Sequence, residues 1–400
     1  MTEEIKDRIE QIKAGRVPEG YIKTKAGITP TDWNMNKRAK EIFKSHSDKK
    51  HGNDLEILAA TQENGIVPRS QIDIDIKCSD EGISGYKKVA VGDFVISLRS
   101  FQGGIEYSPY DGIVSPAYTV LKPTVPISDE YYKNYFKTAE FISRLNGAIY
   151  GIRDGKQIGY EDFGDIVVHY PPLPEQKKIA EILRQCNKVI ELKQSKIEEL
   201  QELKKACLNK MFPKEGHNVP ELRFPGFTDA WEQRKVSDEV DSVDTGKSKF
   251  SLKEDGQYEI LGSTSVIGFD DEYDYEGDFL LTARVGANAG TMYRHSGKVK
   301  ITDNTVFLQG KNLDFLFYML IHFDLHQLSF GTGQPLVKAS ELKSLYLLMP
   351  KKLEEKERIS AYFRNLDNLI TLHQRELEET RKYKKALMQL LLTGIVRVQR

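Results

Sequence analysis

The sequence predicts an α+β protein of two pseudo-repeated domains. Each domain is a mostly antiparallel sheet plus helix, and the two are separated by two long helices packed as an antiparallel coiled coil. Three observations lead there. The 400-residue chain aligns on itself at a shift of 180 residues; both aligned segments carry a heptad seam of apolar residues; and the stretches before them mix short strand patterns with one helical pattern. Strands that do not alternate regularly with helices disfavour a doubly wound sheet.

The internal match comes first because it sets the boundaries. Glu175 to Ile179 falls on Glu355 to Ile359, and the alignment runs without a gap to Phe212 and Leu392, with 11 identities in 38 positions. Arg184/Arg364, Ile190/Ile370, Gln194/Gln374 and Lys204-Lys205-Ala206/Lys384-Lys385-Ala386 are among them. Shared helical composition rarely aligns this far without a gap, so duplication is the reading. The chain divides into a first domain with an N-terminal helix (1–170), a central helix (171–213), a second domain (214–350) and a C-terminal helix (351–400).

In the central segment Ile179, Leu183, Cys186, Ile190, Ile197, Leu200, Cys207 and Met211 recur in alternating steps of four and three, with Lys193 and Lys204 in the two remaining seam positions. The second copy places Ile359, Phe363, Leu366, Ile370, Leu377, Leu387 and Leu391 on the seam, interrupted by His373, Thr380 and Lys384. Ile182, Val189, Leu192 and Leu203, with their partners Tyr362, Leu369, Leu372 and Tyr383, broaden both seams. A stripe that wide calls for a partner helix and for something more on its flank. Pro171 to Pro174 sets the start of the first helix and Pro213 its end. At ~1.5 Å per residue each helix is a rod of about 57 Å. Two matching seams in one chain argue against a solvated linker helix and for mutual packing.

The domains correspond more loosely. Glu56-Ile57-Leu58 matches Glu259-Ile260-Leu261, Gly92-Asp93-Phe94 through Arg99 matches Gly277-Asp278-Phe279 through Arg284, and the only two tryptophans, Trp33 and Trp231, follow similar Thr-Asp entries. The offset drifts, as it does when a shared fold takes up different insertions. Strand patterns cover Ile57 to Ala60, Lys88 to Leu98 and Ala117 to Leu121; helical spacing covers Tyr131 to Leu145 and Leu313 to Leu328.

Lys plus Arg is 58 and Asp plus Glu is 59, a net charge of −1, which excludes a polycation that binds by bulk charge. Divided by segment, 1–170 and 214–350 are net −2 and −7, while 171–213 and 351–400 are net +3 and +5. No apolar run of ~18 residues marks a membrane span, the first residues are too charged for a signal peptide, and three scattered cysteines fit a reducing compartment. The expected location is the cytoplasm, with no membrane partner.

The order domain, helix, domain, helix resembles the specificity subunits of bacterial type I restriction–modification systems. The resemblance rests on the linker Val219 to Trp231, the duplicated Gly-Asp-Phe strands ending in Arg99 and Arg284, and Pro172-Leu173-Pro174-Glu175-Gln176 opening the central helix. It covers nearly the whole chain. It implies two target-recognition domains, each reading half of a split double-stranded DNA sequence, and helical regions that dock two modification subunits. Those partners would bind S-adenosylmethionine and methylate adenine, and restriction subunits would use ATP and Mg²⁺; the resemblance implies no cofactor for this chain. One departure is the N-terminus, where Met1 to Gly27 lacks the Phe-Pro-Gly-Phe entry of the second domain.

The residues themselves offer no enzyme. There is no phosphate-binding Gly-x-x-x-x-Gly-Lys-Ser/Thr loop, no Asn/Asp-Pro-Pro-Tyr/Phe segment to grip a flipped adenine, and no closely spaced His/Cys set for a metal. For DNA reading, Arg, Lys, Asn, Gln, Ser and Thr must reach base edges. Loops rich in them recur in both halves. The first domain offers Thr61, Gln62 and Asn64; Arg99, Ser100 and Gln102; and Arg153, Lys156 and Gln157. The second offers Ser263 and Thr264; Arg284 and Asn288; and Thr332, Gln334 and Lys338. Arg99 and Arg284 recur, so they suit phosphate positioning, and the divergent loops suit sequence readout. Tyr132, Tyr135, Phe136 and Phe141 read as core, and the acidic run Asp270 to Asp278 belongs away from DNA or against a basic partner.

Two domains on an antiparallel helix pair would meet DNA in opposite orientations, with the rod bounding their spacing at roughly 17 base pairs. Two other classes compete: a coiled-coil scaffold that binds proteins without DNA specificity, and a stand-alone DNA methyltransferase or nuclease.

Overall fold

The computed structural model describes residues 2–33, 37–52, 54–61, 65–72, 83–147, 158–329 and 335–398. The chain forms two compact units: Met1–Leu192 with Leu377–Arg400, and Lys193–Glu376. Each long helix therefore contributes one half to each unit.

In the first unit a four-stranded antiparallel sheet runs in the order Phe43–His46, Thr119–Pro123, Phe94–Ile96, Glu106–Tyr107. Two separate hairpin-like pairs, Leu58–Thr61 with Gly65–Pro68 and Lys87–Val89 with Gly112–Val114, flank it. The single strand expected over Lys88 to Leu98 is two strands. Between them Gly92 takes φ +95° and the Asp93 carboxylate accepts from the Ala90 amide at 2.8 Å, making a turn. The helix expected from Tyr131 to Leu145 is likewise two, Asp129–Tyr135 and Ala139–Gly147. Thr138 breaks it: its hydroxyl donates to the Tyr135 carbonyl at 2.8 Å and accepts from the Phe141 amide. Tyr132, Tyr135, Phe136 and Phe141 are fully buried, as their spacing predicts. Phe43 meets Phe94, Tyr132 and Phe136 at ring separations of 5.2–5.5 Å, so sheet and helices share one aromatic core.

The second unit holds a six-stranded sheet in the order Ser242–Thr245, Thr305–Gln309, Tyr275–Ala283, Met292–Ile301, Tyr258–Leu261, Val266–Asp270. All pairings are antiparallel except that of Tyr258–Leu261 with Met292–Ile301. Its long hairpin curls. Gly277 and Gly297 face each other in register, both at positive φ (145° and 115°). Tyr275 consequently reaches Phe307, whose register partner is Leu281, at a ring separation of 5.0 Å. The buried helix Asp314–Phe323 ends where Asp324 turns left-handed (φ 60°), and a 3₁₀ turn, Leu325–Ser329, replaces the rest of the expected helix.

The two sheets share a plan. Phe43–His46, Thr119–Pro123 and Phe94–Ile96 stand in the same order as Ser242–Thr245, Thr305–Gln309 and Tyr275–Ala283. The Glu-Ile-Leu motif leads into the first strand of a hairpin at Leu58–Thr61 and ends the first strand of one at Tyr258–Leu261.

The long helices run Leu173–Met211 (39 residues) and Leu353–Leu392 (40 residues). In the first unit Ile179 and Leu183, near the start of the central helix, share a core with Leu391 and Leu392 at the end of the C-terminal helix. In the second unit the order reverses: Lys204 pairs with Asp367 at 2.6 Å, Cys207 contacts the Tyr362 hydroxyl, and Phe212 stacks on Phe363. The pairing is antiparallel in both. Of the seam residues, Ile179, Leu183, Ile197, Leu200, Cys207, Met211, Ile359, Phe363, Leu366, Ile370, Leu377 and Leu391 are buried, whereas Cys186, Ile190 and Leu387 are half-buried. No described helix is long and apolar enough to cross a membrane.

A repeated clasp fixes each domain to the helices. In the second unit Arg223 grips Glu355 at 2.7 and 2.8 Å, and the Trp231 indole donates to the same carboxylate at 3.3 Å. In the first unit Arg397 grips Glu175 at 2.7 and 2.8 Å, and the Trp33 indole donates to it at 3.0 Å. One residue earlier the amides of Leu222 and Val396 donate to the carbonyls of Lys210 and Leu390, positions related by the same shift of 180. The tail after the C-terminal helix thus does for the first domain what the linker does for the second, which accounts for the missing N-terminal entry. The N-terminal helix Glu3–Lys13 joins this end of the unit, with Arg8 donating to the Ile395 carbonyl at 3.1 Å.

Candidate nucleic-acid interface

Gln62, Asn64, Arg153, Lys156, Gln157, Thr332 and Gln334 lie outside the described residues. The others fall on loops at the ends of strands. In the first unit Thr61 closes the Leu58–Thr61/Gly65–Pro68 hairpin, its hydroxyl donating to the Gly65 carbonyl at 3.1 Å. Arg99 and Gln102 are exposed around the short helix Ser100–Gly103. Ser100 is not at the surface: it is 1% exposed, and its hydroxyl oxygen accepts from the Ser97 amide at 2.8 Å, holding the turn that presents Arg99. At 1% exposed it offers no surface to a base edge, so Ser100 leaves the candidate set.

Glu106 and Lys137 bring these two loops together. Lys137 donates to the Gly103 carbonyl at 2.8 Å and pairs with Glu106, while the space where a Gly65 side chain would stand is 3.3 Å from the Glu106 carboxylate. Gly104, at φ +78°, must be glycine, because a Cβ there would sit 2.0 Å from the Phe136 carbonyl oxygen. Burial raises the Glu106 carboxyl above the usual range, against the pull of Lys137.

In the second unit the loops converge on Thr302 to Asn304. The Thr302 amide donates to the Leu261 carbonyl beside the Gly262–Ser265 turn, which leaves Ser263 half-buried and Thr264 exposed. The Arg284 amide donates to the Asn304 carbonyl, and the Val337 amide donates to the Arg284 carbonyl. That ladder sets Arg284, the exposed Asn288 and the exposed Lys338 on one surface with the turn. The two recurrent arginines differ in freedom. Arg284 is half-buried, its guanidinium tied to the Asp303 carbonyl at 3.1 Å, whereas Arg99 is exposed and has no side-chain bond among the described residues. Lys338 pairs with Glu341 at 2.9 Å across the first turn of Ala339–Ser344.

The acidic run finds its basic partners within its own domain. Asp271 pairs with Lys253, Asp270 and Asp274 face Lys300 at 3.8 and 3.7 Å, and Glu276 faces Lys298 at 4.0 Å. Backbone donors, the Ser251 amide first, hold the Asp270 carboxyl below its ordinary value. Sequence reasoning missed Lys133, Lys137 and the role of Lys384, which gather on one side of the first-unit loops. Comparing Lys204 and Asp367 with Lys384 and Asn187 at the 180-residue shift is the signal that would have found Lys384; no such signal marks Lys133 and Lys137. Among the described residues no group of three or more His, Cys, Asp or Glu side chains is placed to hold a metal ion.

Comparisons with known proteins agree with this geometry. Residues 30–202 and 228–381 each match the family model described as the type I restriction modification DNA specificity domain. The chain is similar to the specificity subunit of the type I restriction enzyme MjaVIII of Methanocaldococcus jannaschii, 29% identical over 327 residues that cover 72% of this chain and 75% of the relative. A specificity subunit proposed for the MjaX enzyme of the same organism is 24% identical over 431 residues, covering 95% and 97%. Among solved structures, one chain from a study of type I R-M complex assembly superposes with a TM-score of 0.58 at 17% identity, covering 92% of this chain and 99% of the other. The S subunit of a type I restriction–modification system from M. genitalium gives 0.56 at 12% identity, covering 90% and 96%. At these identities the structural likeness is one of fold.

Proposed function

The chain belongs to the type I restriction–modification DNA specificity family, and we propose that it is the non-catalytic subunit that selects the DNA target for such a complex. The observation that carries this reading is the duplicated plan itself. Two sheets that share a three-strand order are accompanied by hairpins and loops that differ in side chains: Thr61 with Arg99 and Gln102 in one unit, Thr264 with Arg284, Asn288 and Lys338 in the other. A common scaffold with different reading groups suits an interrupted, asymmetric site in double-stranded DNA, each domain taking one half. A protein-binding scaffold would give no reason for base-reading side chains to collect at matched loops.

Partner docking has its own support. Each unit leaves an apolar flank on its helix segments in solvent: Val189, Leu192 and Tyr383 in one, Leu203, Leu369 and Leu372 in the other. These residues are related by the shift of 180, so the flanks come as a matched pair. Two copies of one protein partner fit two matched flanks, and the modification subunits are that partner. They would bring S-adenosylmethionine, and the restriction subunits ATP and Mg²⁺, in the cytoplasm where the target DNA lies.

Replacing residues 30–170 with the corresponding domain of another family member tests the reading. Methylome sequencing of cells carrying the whole system should show one half-site changed and the other retained. Both half-sites changing together, or neither, would refute the assignment of one domain to one half.

A further inference from the structure

The helix pair treats one half-buried cation differently in the two units. In the second unit the Lys204 ammonium meets the Asp367 carboxylate at 2.6 Å, and that carboxylate also accepts from the Tyr318 hydroxyl at 2.8 Å and faces Arg294 at 3.7 Å. At the 180-residue shift the pair becomes Lys384 and Asn187. The cation is kept and its counter-charge is replaced by an amide. Lys384 is half-buried, and among the described residues its ammonium makes no hydrogen bond or ion pair. Burial lowers its pKa from the ordinary lysine value, as expected of a desolvated cation without a partner.

The space in front of Lys384 is built for an anion. Gly65, Lys133, Asn134, Lys137, Asn187 and Lys384 line a cavity of about 350 Å³. Glu106 is the one carboxylate among its described lining residues, and Lys137 already pairs with it. Lys133 keeps a 3.3 Å contact with Glu130 and lies over the Tyr107 ring at 5.5 Å. A tetrahedral oxyanion would give Lys384 its missing acceptor and would receive the Asn187 amide alongside.

We propose that this cavity of the first unit is a phosphate site, filled by a backbone phosphate of the bound DNA next to the half-site read by the Thr61 hairpin. Gly65 ties the two together, because it closes that hairpin and also lines the cavity. The inference rests on the DNA-recognition reading above. It also predicts an asymmetry, since Asp367 fills the corresponding place in the second unit and only the first domain has the site. Free inorganic phosphate has the same chemistry and is the other source to distinguish.

Asn187→Asp is the deciding variant. It copies the lysine–aspartate pair that the second unit already accommodates, so the chain should fold, and it gives Lys384 the counter-charge it lacks. Retention of the target duplex by the full chain with its modification partner is measured against NaCl for wild type, Asn187→Asp and Lys384→Gln. Each variant should bind about five- to ten-fold more weakly, with the slope of log affinity on log salt reduced in magnitude by about 1. A duplex carrying one neutral methylphosphonate at the contacted position should weaken wild type and leave Asn187→Asp unaffected. Unchanged affinity and slope in both variants would overturn the proposal. Stabilisation of wild type but not Asn187→Asp by inorganic phosphate alone, with DNA slopes equal, would overturn the DNA assignment in favour of a free anion. If wild type fails to select its target, the recognition reading itself falls and takes this assignment with it.

Discussion

At the scale of single residues, the clasp at Glu175 ties the two ends of the chain to the start of the central helix. Glu175 is 5% exposed and receives Arg397 through two bonds and Trp33 through a third, while the same guanidinium reaches Asp32 through two bonds of 2.8 Å. Removing Arg397 would leave a buried carboxylate with the indole alone. Arg397→Ala should therefore lower stability by about 2–3 kcal/mol, toward the low side for a buried pair because the arginine is partly in solvent. Urea unfolding of the full chain measures it, and a loss below about 0.5 kcal/mol would show that the tail is not held by this pair. The two tryptophans were legible in the sequence as domain entries, and Glu175 as part of the segment opening the central helix. Their meeting was not legible, because Asp32 and Arg397 lie at opposite ends of the chain and no local pattern joins them.

At the scale of elements, the helices were the most readable part. A step of four and three repeated over 38 residues leaves a helix little freedom in which face it buries, and twelve of the fifteen apolar seam residues are buried. The sheets were read less well. Short strands such as Lys87–Val89 and Phe94–Ile96 are divided by a glycine at positive φ and an aspartate side chain, contacts that apolar patterning does not register. The same limit applied to Ser100, whose type suits a base contact but whose hydroxyl is buried in a turn. The exposed flank of the helices supplies a test here. Leu192 is 62% exposed and Leu372 50%, and the two are equivalent positions. Leu192→Glu combined with Leu372→Glu should leave thermal unfolding within about 2 °C of wild type, since exposed substitutions change stability by only about ±0.5 kcal/mol. The same double variant should abolish co-purification with the modification subunit. Retained co-purification would move the docking surface elsewhere.

At the scale of the whole molecule, charge and length take on meaning once they are divided. The helical segments at net +3 and +5 and the domains at −2 and −7 fit a subunit whose affinity for DNA is completed by its partners. Both long helices pass without a break from one unit into the other. Inserting one heptad into each, after Gln194 and after Gln374, adds about 10 Å of helix. The expected result is a longer spacer between unchanged half-sites, by about three base pairs, in methylation mapping. A changed half-site with the original spacer would refute the ruler.

The arrangement of the units also fixes an order of events during synthesis. The second unit is one continuous stretch, Lys193–Glu376, and is complete in the nascent chain before the last turns of the C-terminal helix exist. The first unit begins at the N-terminus yet needs Leu377–Arg400 to close. Its seam residues Ile179 and Leu183 and its buried Glu175 must wait through the translation of the entire second domain, roughly ten to forty seconds at ordinary elongation rates. The half of the protein made first is finished last, and a chain released at about Glu376 has one domain sealed and the other open.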